Sequence, residues 1–297
     1  MNISLKEAAA RLLAAKKLII TAHYNPDGDA LGSSLALYRM LVCLGKDVKI
    51  LIDDDIPKAF SFLADIESIE KPEAGAYEAD YLIMLDATCD RVGRIIEKCK
   101  APILNIDHHR TNGGNGVEYL YLDADRAATA EIIYQLLEEL AITPDAATAM
   151  CIYTGLSTDT GNFRFSNTTA FTLRAAADML EAGAKPHVLS EALEKRTLKE
   201  VLDRAHAMET IQLSAGGRVA GIYIDNALYE QLDTTEGYID GVRIIDGVDV
   251  AVLMKEFEPG HCRVSMRSKG VDVSAIAAEL DGGGHVRAAG WHRCFIS

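Results

Sequence analysis

Apolar residues recur along this chain with two different periods, and the changes between them mark out its elements. The opening stretch MNISLKEAAARLLAAKK has helical spacing broken early by acidic and basic residues, which predicts an amphipathic helix. Residues 17–22 form a short continuous apolar run, the pattern of a buried strand. Helical spacing returns over 30–44, with Leu31, Leu35, Tyr38 and Val42 on one stripe and Gly45 as the stop. Short runs at 47–52, 81–85 and 102–106 predict further strands, and 127–140, 144–156 and 168–182 predict helices, the last ended by Gly183. Strands alternating with helices imply an α/β fold on a parallel sheet, whose strands share one carboxyl edge.

The pattern changes beyond residue 186. Residues 186–209 are strongly charged and helical in spacing, as a connector would be. Residues 219–225 and 248–257 then alternate as strands do, and Glu258-Pro259-Gly260 reads as a tight turn into a third strand over 261–267. A helix at 273–280 and a last strand at 291–296 complete the pattern. The expected organisation is a catalytic domain over 1–186, a helical linker over 187–209 and a smaller α+β domain over 210–297, with the active site in the cleft between domains.

Composition supports two globular cores, since 49% of the 297 residues are hydrophobic. No apolar run has the length of a membrane span. Six cysteines (Cys43, Cys89, Cys99, Cys151, Cys262, Cys294) are scattered without a CxxC pair, which argues against a disulfide framework or a thiolate zinc site and predicts core thiols. A cytoplasmic chain without membrane partners is expected. The formal charge of −14 disfavours binding to long duplex nucleic acid, which rests on neutralising many phosphates, but leaves room for a short anionic ligand.

Candidate chemistry collects at the ends of the predicted strands. His23, Asp27 and Asp29 lie in one turn after the first strand, where Pro26 and Gly28 permit a sharp reversal. A turn residue at 27 and a helix N-cap at 29 would account for that motif alone. Asp86 and Asp107-His108-His109 end two other strands, and Asp159 lies near a helix C-terminus, where a carboxylate opposes the helix dipole. Separate segments therefore deliver ligands to the edge where such sheets bind ligands. The acidic run Asp53-Asp54-Asp55 lacks histidine and reads as a solvated loop.

Four carboxylates (Asp27, Asp29, Asp86, Asp159) with two imidazoles (His23, His108) balance two divalent cations. Oxygen and imidazole ligands without thiolate suit Mn²⁺, with Mg²⁺ or Co²⁺ as substitutes. Two such ions can activate a water and clamp an in-line phosphoryl displacement. The expected reaction is phosphoester hydrolysis at Asp86 and His108, with His109 placed to bond a phosphoryl oxygen or protonate the leaving group and Asp107 orienting a neighbour. In the second domain Gly282-Gly283-Gly284 allows backbone N–H groups to face an anion, and His285 and Arg267 add donors suited to phosphate.

The motifs HYNPDGDALGSS, LDAT, DHH and STDTGNF, in this order, resemble those of the DHH phosphoesterase superfamily, and RS followed by DGGGHVRAAG resembles its C-terminal DHH-associated domain. The resemblance spans nearly the whole chain. It implies one ion held by His23, Asp27 and Asp86 and a second by Asp29, Asp86, His108 and Asp159, with His109, Arg267 and His285 on the substrate phosphate. One departure is Asp281, where the family usually has the first of four glycines. Length and layout resemble the branch of short-oligonucleotide 3′-to-5′ exonucleases (nanoRNases), many of which also dephosphorylate pAp. The implied activity is release of nucleoside 5′-monophosphates from short oligonucleotides and of AMP from pAp. Hydrolysis of linear or cyclic dinucleotides such as pApA or c-di-AMP is the alternative enzyme reading. A nucleotide-binding regulator without catalysis is the non-enzyme reading, disfavoured because all six ligands are present. A homodimer is compatible with the sequence.

Overall fold

The computed structural model describes residues 1–235 and 237–294, with the side chains of His285 and Cys294 outside the description. Phe295 and Ile296, which end the expected last strand, lie outside the described residues. The chain divides into two compact units, Met1–Glu194 and Lys195–Ser297.

In chain order the first unit runs α1 (Leu5–Ala14), β1 (Lys17–Thr21), α2 (Gly28–Cys43), β2 (Asp47–Leu51), β3 (Ile69–Glu70), β4 (Tyr81–Leu85), α3 (Ile95–Lys98), β5 (Ile103–Asp107), β6 (Tyr119–Leu122), α4 (Thr129–Glu139), α5 (Ala146–Asp159), α6 (Ala170–Glu181) and α7 (Pro186–Glu194). The strands form one parallel sheet in the order β3-β2-β1-β4-β5-β6. Both faces are covered, so successive residues enter different cores. Leu18 and Ile20 of β1 and Ile83 and Leu85 of β4 join the core shared with α2, α4 and α5, whereas Ile19, Leu82 and Met84 join the core of α3. This is why these strands read as unbroken apolar runs. The strand order reverses between β1 and β4, and sheets of this kind open a crevice at that point, beyond the strands' carboxyl ends.

Helices α2 and α5 cross closely because both present small residues. A Cβ at Gly32 would collide with the Cys151 carbonyl oxygen, and one at Gly155 would meet Ala130 and the Asp29 carboxylate. The crossing brings the start of α2 against the end of α5, since Gly28 packs on Thr158. Asp29 and Asp159 are thereby drawn to one place.

The second unit contains α8 (Leu198–Glu209), β7 (Gln212–Ser214), β8 (Val219–Ile224), α9 (Asn226–Tyr229), α10 (Tyr238–Arg243), β9 (Val250–Glu258), β10 (His261–Ser268), α11 (Val273–Ala278), β11 (Gly283–His285) and β12 (Ala288–Cys294). Its mixed sheet has the order β11-β12-β10-β9-β8-β7, with β8 and β9 parallel and the other pairs antiparallel. Register places Ala251, Arg267, Ala288 and His285 in one cross-strand row. On that face the β8–β9 half is apolar: Ala220, Ile222, Ala251 and Leu253 pack with Tyr238, Ile239 and Val242 of α10. Along β10 the same face carries Arg263, Ser265 and Arg267 at alternate positions.

The stretch expected as a linker is shared between the units. Leu189 of α7 is buried in the first core, and Ala207 of α8 in the second. Between them Thr197 starts a new helix through a capping box with Glu200. Cys99, Cys151 and Cys262 are buried as expected, but Cys43 is exposed because it ends α2 on its outer side. Among the described residues no helix is long and apolar enough to cross a membrane.

The Gly32–Cys151 approach leaves no room for a methyl group. Gly32→Ala is expected to cost about 1–3 kcal/mol through overpacking, despite the better helix propensity of alanine. Urea unfolding of both proteins checks this; unchanged or raised stability would remove close crossing as the reason for the glycine.

Candidate metal centre

The turn after β1 is shaped largely by its own polar groups. Asp27 is the N-cap of α2, and its Oδ1 accepts the N–H groups of Asp29 and Ala30, each at 3.1 Å. The capping role considered for Asp29 thus belongs to Asp27. Asp29 lies inside α2 and serves a different helix: its Oδ2 accepts the Thr129 N–H at 2.6 Å, and its Oδ1 accepts the Ala130 N–H at 2.8 Å and the Ser33 hydroxyl at 3.0 Å. A carboxylate buried against the start of α4 gains from the positive end of that helix dipole.

The acidic run 53–55 is solvated only at Asp55; Asp53 and Asp54 hold neighbours. Asp54 accepts the Asn25 N–H at 2.7 Å, where Asn25 takes the left-handed φ of 53° needed to reverse the chain. The Arg94 guanidinium grips Asp53 through two nitrogens and holds its carboxyl down to about 2. Asp54 thus fixes the turn that carries His23 and Asp27, while Asp53 is held by Arg94. Charge pattern alone could not distinguish them from a solvated run.

The structure brings all six candidate ligands together. His23, Asp27 and Asp86 form one group and Asp29, His108 and Asp159 another, and a third group of Asp86, Asp107, His108 and His109 shares Asp86 with the first and His108 with the second. Asp86 faces both: its Oδ2 lies 3.5 Å from His23 Nε2 and its Oδ1 lies 3.5 Å from His108 Nε2. Asp86 also has a left-handed φ of 54°, a conformation that costs energy outside glycine and recurs at functional sites. Asp159, the last residue of α5, places Oδ2 3.3 Å from His108 Nε2.

Both imidazoles are oriented from behind. His23 Nδ1 lies 2.9 Å from the Tyr24 carbonyl and His108 Nδ1 3.2 Å from the Arg126 carbonyl. A carbonyl only accepts, so each Nδ1 donates its proton and each Nε2 is left to face the carboxylates. His108 Nε2 is buried without an aligned hydrogen-bond partner, although acidic oxygens surround it. A buried orphan nitrogen among carboxylates is the donor set of a hard or borderline divalent cation, and the residues present fit one.

Asp107 has a different task. Its Oδ1 accepts the N–H groups of His108 and His109 and the His109 Nδ1–H at 2.8 Å, while Oδ2 accepts the Asn112 amide at 2.6 Å. It thereby orients His109, whose side chain remains 42% exposed and can meet a ligand from solvent. Asn112 also donates to Asn105, and Asn105 donates to the carbonyls of Met84 and Ala87, tying β5 to the loop carrying Asp86. Sequence reading missed these residues, although an asparagine inside the apolar run ILNID was a visible signal. It also missed residues 126–131, where the Arg126 carbonyl holds His108, and Thr129 and Ala130 hold Asp29.

In the second unit the glycine run does not form a loop of free N–H groups. Gly283–His285 pairs as β11 with β12, and a Cβ at Gly284 would collide with the backbone of Ala288 and Ala289. Gly283 faces open space. Asp281 takes a left-handed φ of 57°, which lets the Gly282 N–H reach the Ala277 carbonyl at 2.8 Å and closes the end of α11. Its backbone, rather than its carboxylate, thus does the capping, and aspartate tolerates a conformation glycine would adopt freely. Arg267 is half-buried and donates to the Met266 carbonyl at 3.0 Å. The backbone of His285 shares its row, while the His285 side chain lies outside the described residues.

Electrostatics follow from this crowding. Burial, then the neighbouring carboxylates of Asp86 and Asp159, push the Asp29 carboxyl well up. Burial alone would lower His23, but Asp27 and Asp86 outweigh it and push it up to about 10; burial likewise opposes, and Asp159, Asp29 and Asp86 outweigh, for His108, also at about 10. Without cations these imidazoles hold protons at neutral pH. Their pairing with carboxylates stabilises the metal-free fold fully below the ordinary histidine value of 6.5, and that contribution is lost as pH rises through about 10. A divalent cation bound there would have to displace these protons. Binding is therefore expected to release protons and to tighten between pH 6 and pH 9, about tenfold per pH unit for each proton displaced. Calorimetry in buffers of different ionisation enthalpy measures the release; pH-independent affinity with no proton release would contradict the assignment.

Comparison with known proteins agrees with this geometry. Residues 17–156 match the family model described as DHH family, N-terminal domain, and residues 223–292 match the DHHA1 domain. The bifunctional oligoribonuclease and PAP phosphatase NrnA of Thermus thermophilus is 34% identical over 92% of this chain and 83% of its own length. An exopolyphosphatase-related protein from Bacteroides fragilis superposes with a TM-score of 0.85 at 21% identity, covering 96% of this chain and 89% of the other. The exonuclease RecJ bound to manganese superposes with a TM-score of 0.52 at 17% identity, covering 97% of this chain and 90% of the other. With a parallel-sheet unit that gathers acidic and histidine ligands at its switch point and a second unit matching the DHHA1 domain, the chain belongs to the DHH phosphoesterase family.

Proposed function

We propose that this protein is a two-metal phosphoesterase that removes nucleoside 5′-monophosphates from oligonucleotides a few residues long, working from the 3′ end, and converts pAp to AMP. The observation that carries the reading is that Asp86 stands between two ligand groups, with one oxygen toward His23 and the other toward His108. In this assignment His23 and Asp27 hold one ion, Asp29, His108 and Asp159 the other, and Asp86 bridges. Mn²⁺ is the ion we favour, in keeping with the imidazole and carboxylate donors and with the manganese named for RecJ. Two such ions lower the pKa of a water and neutralise both the attacking and the leaving oxygen of an in-line displacement.

The chain's own residues supply the rest. Asp107, and against it burial, set the proton affinity of His109, and the net shift is upward. His109 keeps its Nδ1–H on Asp107, and the upward shift favours the form that offers an Nε2–H to a phosphoryl oxygen or to the departing oxygen. We assign Arg267, Gly283, Gly284 and His285 to the substrate phosphate. Arg267 supports this by sharing a row with His285, and Gly283 by facing open space. The substrate preference rests on the name of the 34% identical relative and on a net charge of −14, which suits a short anion better than a long polyanion. We place the reaction in the cytoplasm, where scattered free thiols stay reduced.

The test is a panel of pApA, longer oligonucleotides, pAp, c-di-AMP and pyrophosphate with Mn²⁺. AMP is expected from pApA and pAp, with c-di-AMP and pyrophosphate slower; release of AMP from neither would sink the reading. Asp86→Asn keeps the size and the tolerance of positive φ but removes the bridging charge. It is expected to lower turnover by at least about 100-fold while circular dichroism stays unchanged. Full activity in this variant would refute the bridge.

A further inference from the structure

We propose that Thr129 is a positioning residue that locks the two central carboxylates, Asp29 and Asp86, into a shared arrangement for the ion pair. The inference rests on the two-metal reading above and assigns a role to a residue that neither the ligand motifs nor the charge pattern singles out.

Thr129 is the first residue of α4 and is fully buried. Its N–H donates to Asp29 Oδ2 at 2.6 Å, and its hydroxyl donates to Asp86 Oδ1 at 3.1 Å. One residue thus holds a carboxylate from α2 and one from the loop after β4, which come from opposite sides of the switch point. Asp86 Oδ1 is the oxygen that faces His108, so the Thr129 hydroxyl fixes which oxygen turns toward the second ligand group. The hydroxyl has a single proton, and donation to Asp86 leaves no freedom in its direction.

The peptide at 129 is itself held. Buried Glu131 accepts the Ala127 N–H at 3.2 Å and the Thr172 hydroxyl, which ties the start of α4 to α6. The same segment supplies the Arg126 carbonyl behind His108. The Asp29 carboxylate accepts N–H donors on both oxygens, and these bonds fix its orientation toward the second ligand group. The Thr129 hydroxyl donates outside its own helix, to Asp86.

Thr129→Val removes the hydroxyl but retains the shape and the N–H group, and Thr129→Ser retains the hydroxyl. Mn²⁺ titration by calorimetry, with electron paramagnetic resonance to detect the exchange-coupled pair, reads the consequence apart from turnover. Thr129→Val is expected to bind its more weakly held Mn²⁺ about 10–100-fold less tightly and to lose the coupled signal at concentrations that saturate the wild type, with Thr129→Ser restoring both. A merely structural role would lower the melting temperature of the metal-free protein without altering the coupled signal at saturation. Wild-type affinity and coupling in Thr129→Val would overturn the inference while leaving the two-metal reading intact. Failure of the wild type to bind two ions would overturn both. Should Thr129→Val not fold, Thr129→Ser and Glu131→Gln carry the test: an unchanged serine variant with a loosened pair in Glu131→Gln supports the tether, and the reverse pattern overturns it.

Discussion

Like charges brought together where water is scarce repel, and the first unit is arranged around that constraint. Asp27, Asp29, Asp86 and Asp159 approach one another at the carboxyl edge of the sheet, with Asp29 and Asp86 almost wholly buried. Such a cluster persists only if positive charge meets it. The protein supplies part of that charge through the start of α4 on Asp29 and through two imidazoles held from behind by carbonyls. A bound divalent cation would complete it. The same repulsion that makes the empty cluster unfavourable makes it a strong ligand set.

The scaffold contributes chiefly by direction. α2 and α4 bring their N-termini to the switch point, and α5 brings its C-terminus. The contact of small residues between α2 and α5 sets how near these ends come, which links the helix crossing to the placement of Asp29 and Asp159. Behind the ligands lies a supporting layer: Asn105 and Asn112 join β5 to the Asp86 loop, and Asp107 spends its oxygens on backbone, Asn112 and His109. None of these need touch an ion, yet each limits where a ligand can point.

The second unit solves another problem. One face of its sheet is divided between an apolar half beneath α10 and a β10 strand bearing Arg263, Ser265 and Arg267. Its glycines serve close packing of β11 on β12 as much as openness toward a ligand, and Asp281 shows that the residue before them needs a backbone conformation more than a particular side chain.

The sequence determined the α/β architecture, most strand and helix positions and the convergence of six candidate ligands, because hydrophobic period reports which faces are buried and parallel strands end at a common edge. Short elements escaped it: β3 has two residues and β6 four, too few for a period to register. It assigned helix capping to Asp29 where Asp27 performs it, and solvation to Asp53 and Asp54 where both hold neighbours, because charge pattern carries no information about which distant N–H or guanidinium arrives. Thr129, Arg126, Asn105 and Asn112 became functional candidates only through tertiary structure. Their contributions are single hydrogen bonds between residues far apart in the chain, such as Thr129 to Asp29 and Asp86, and such bonds exist only once packing has fixed both partners.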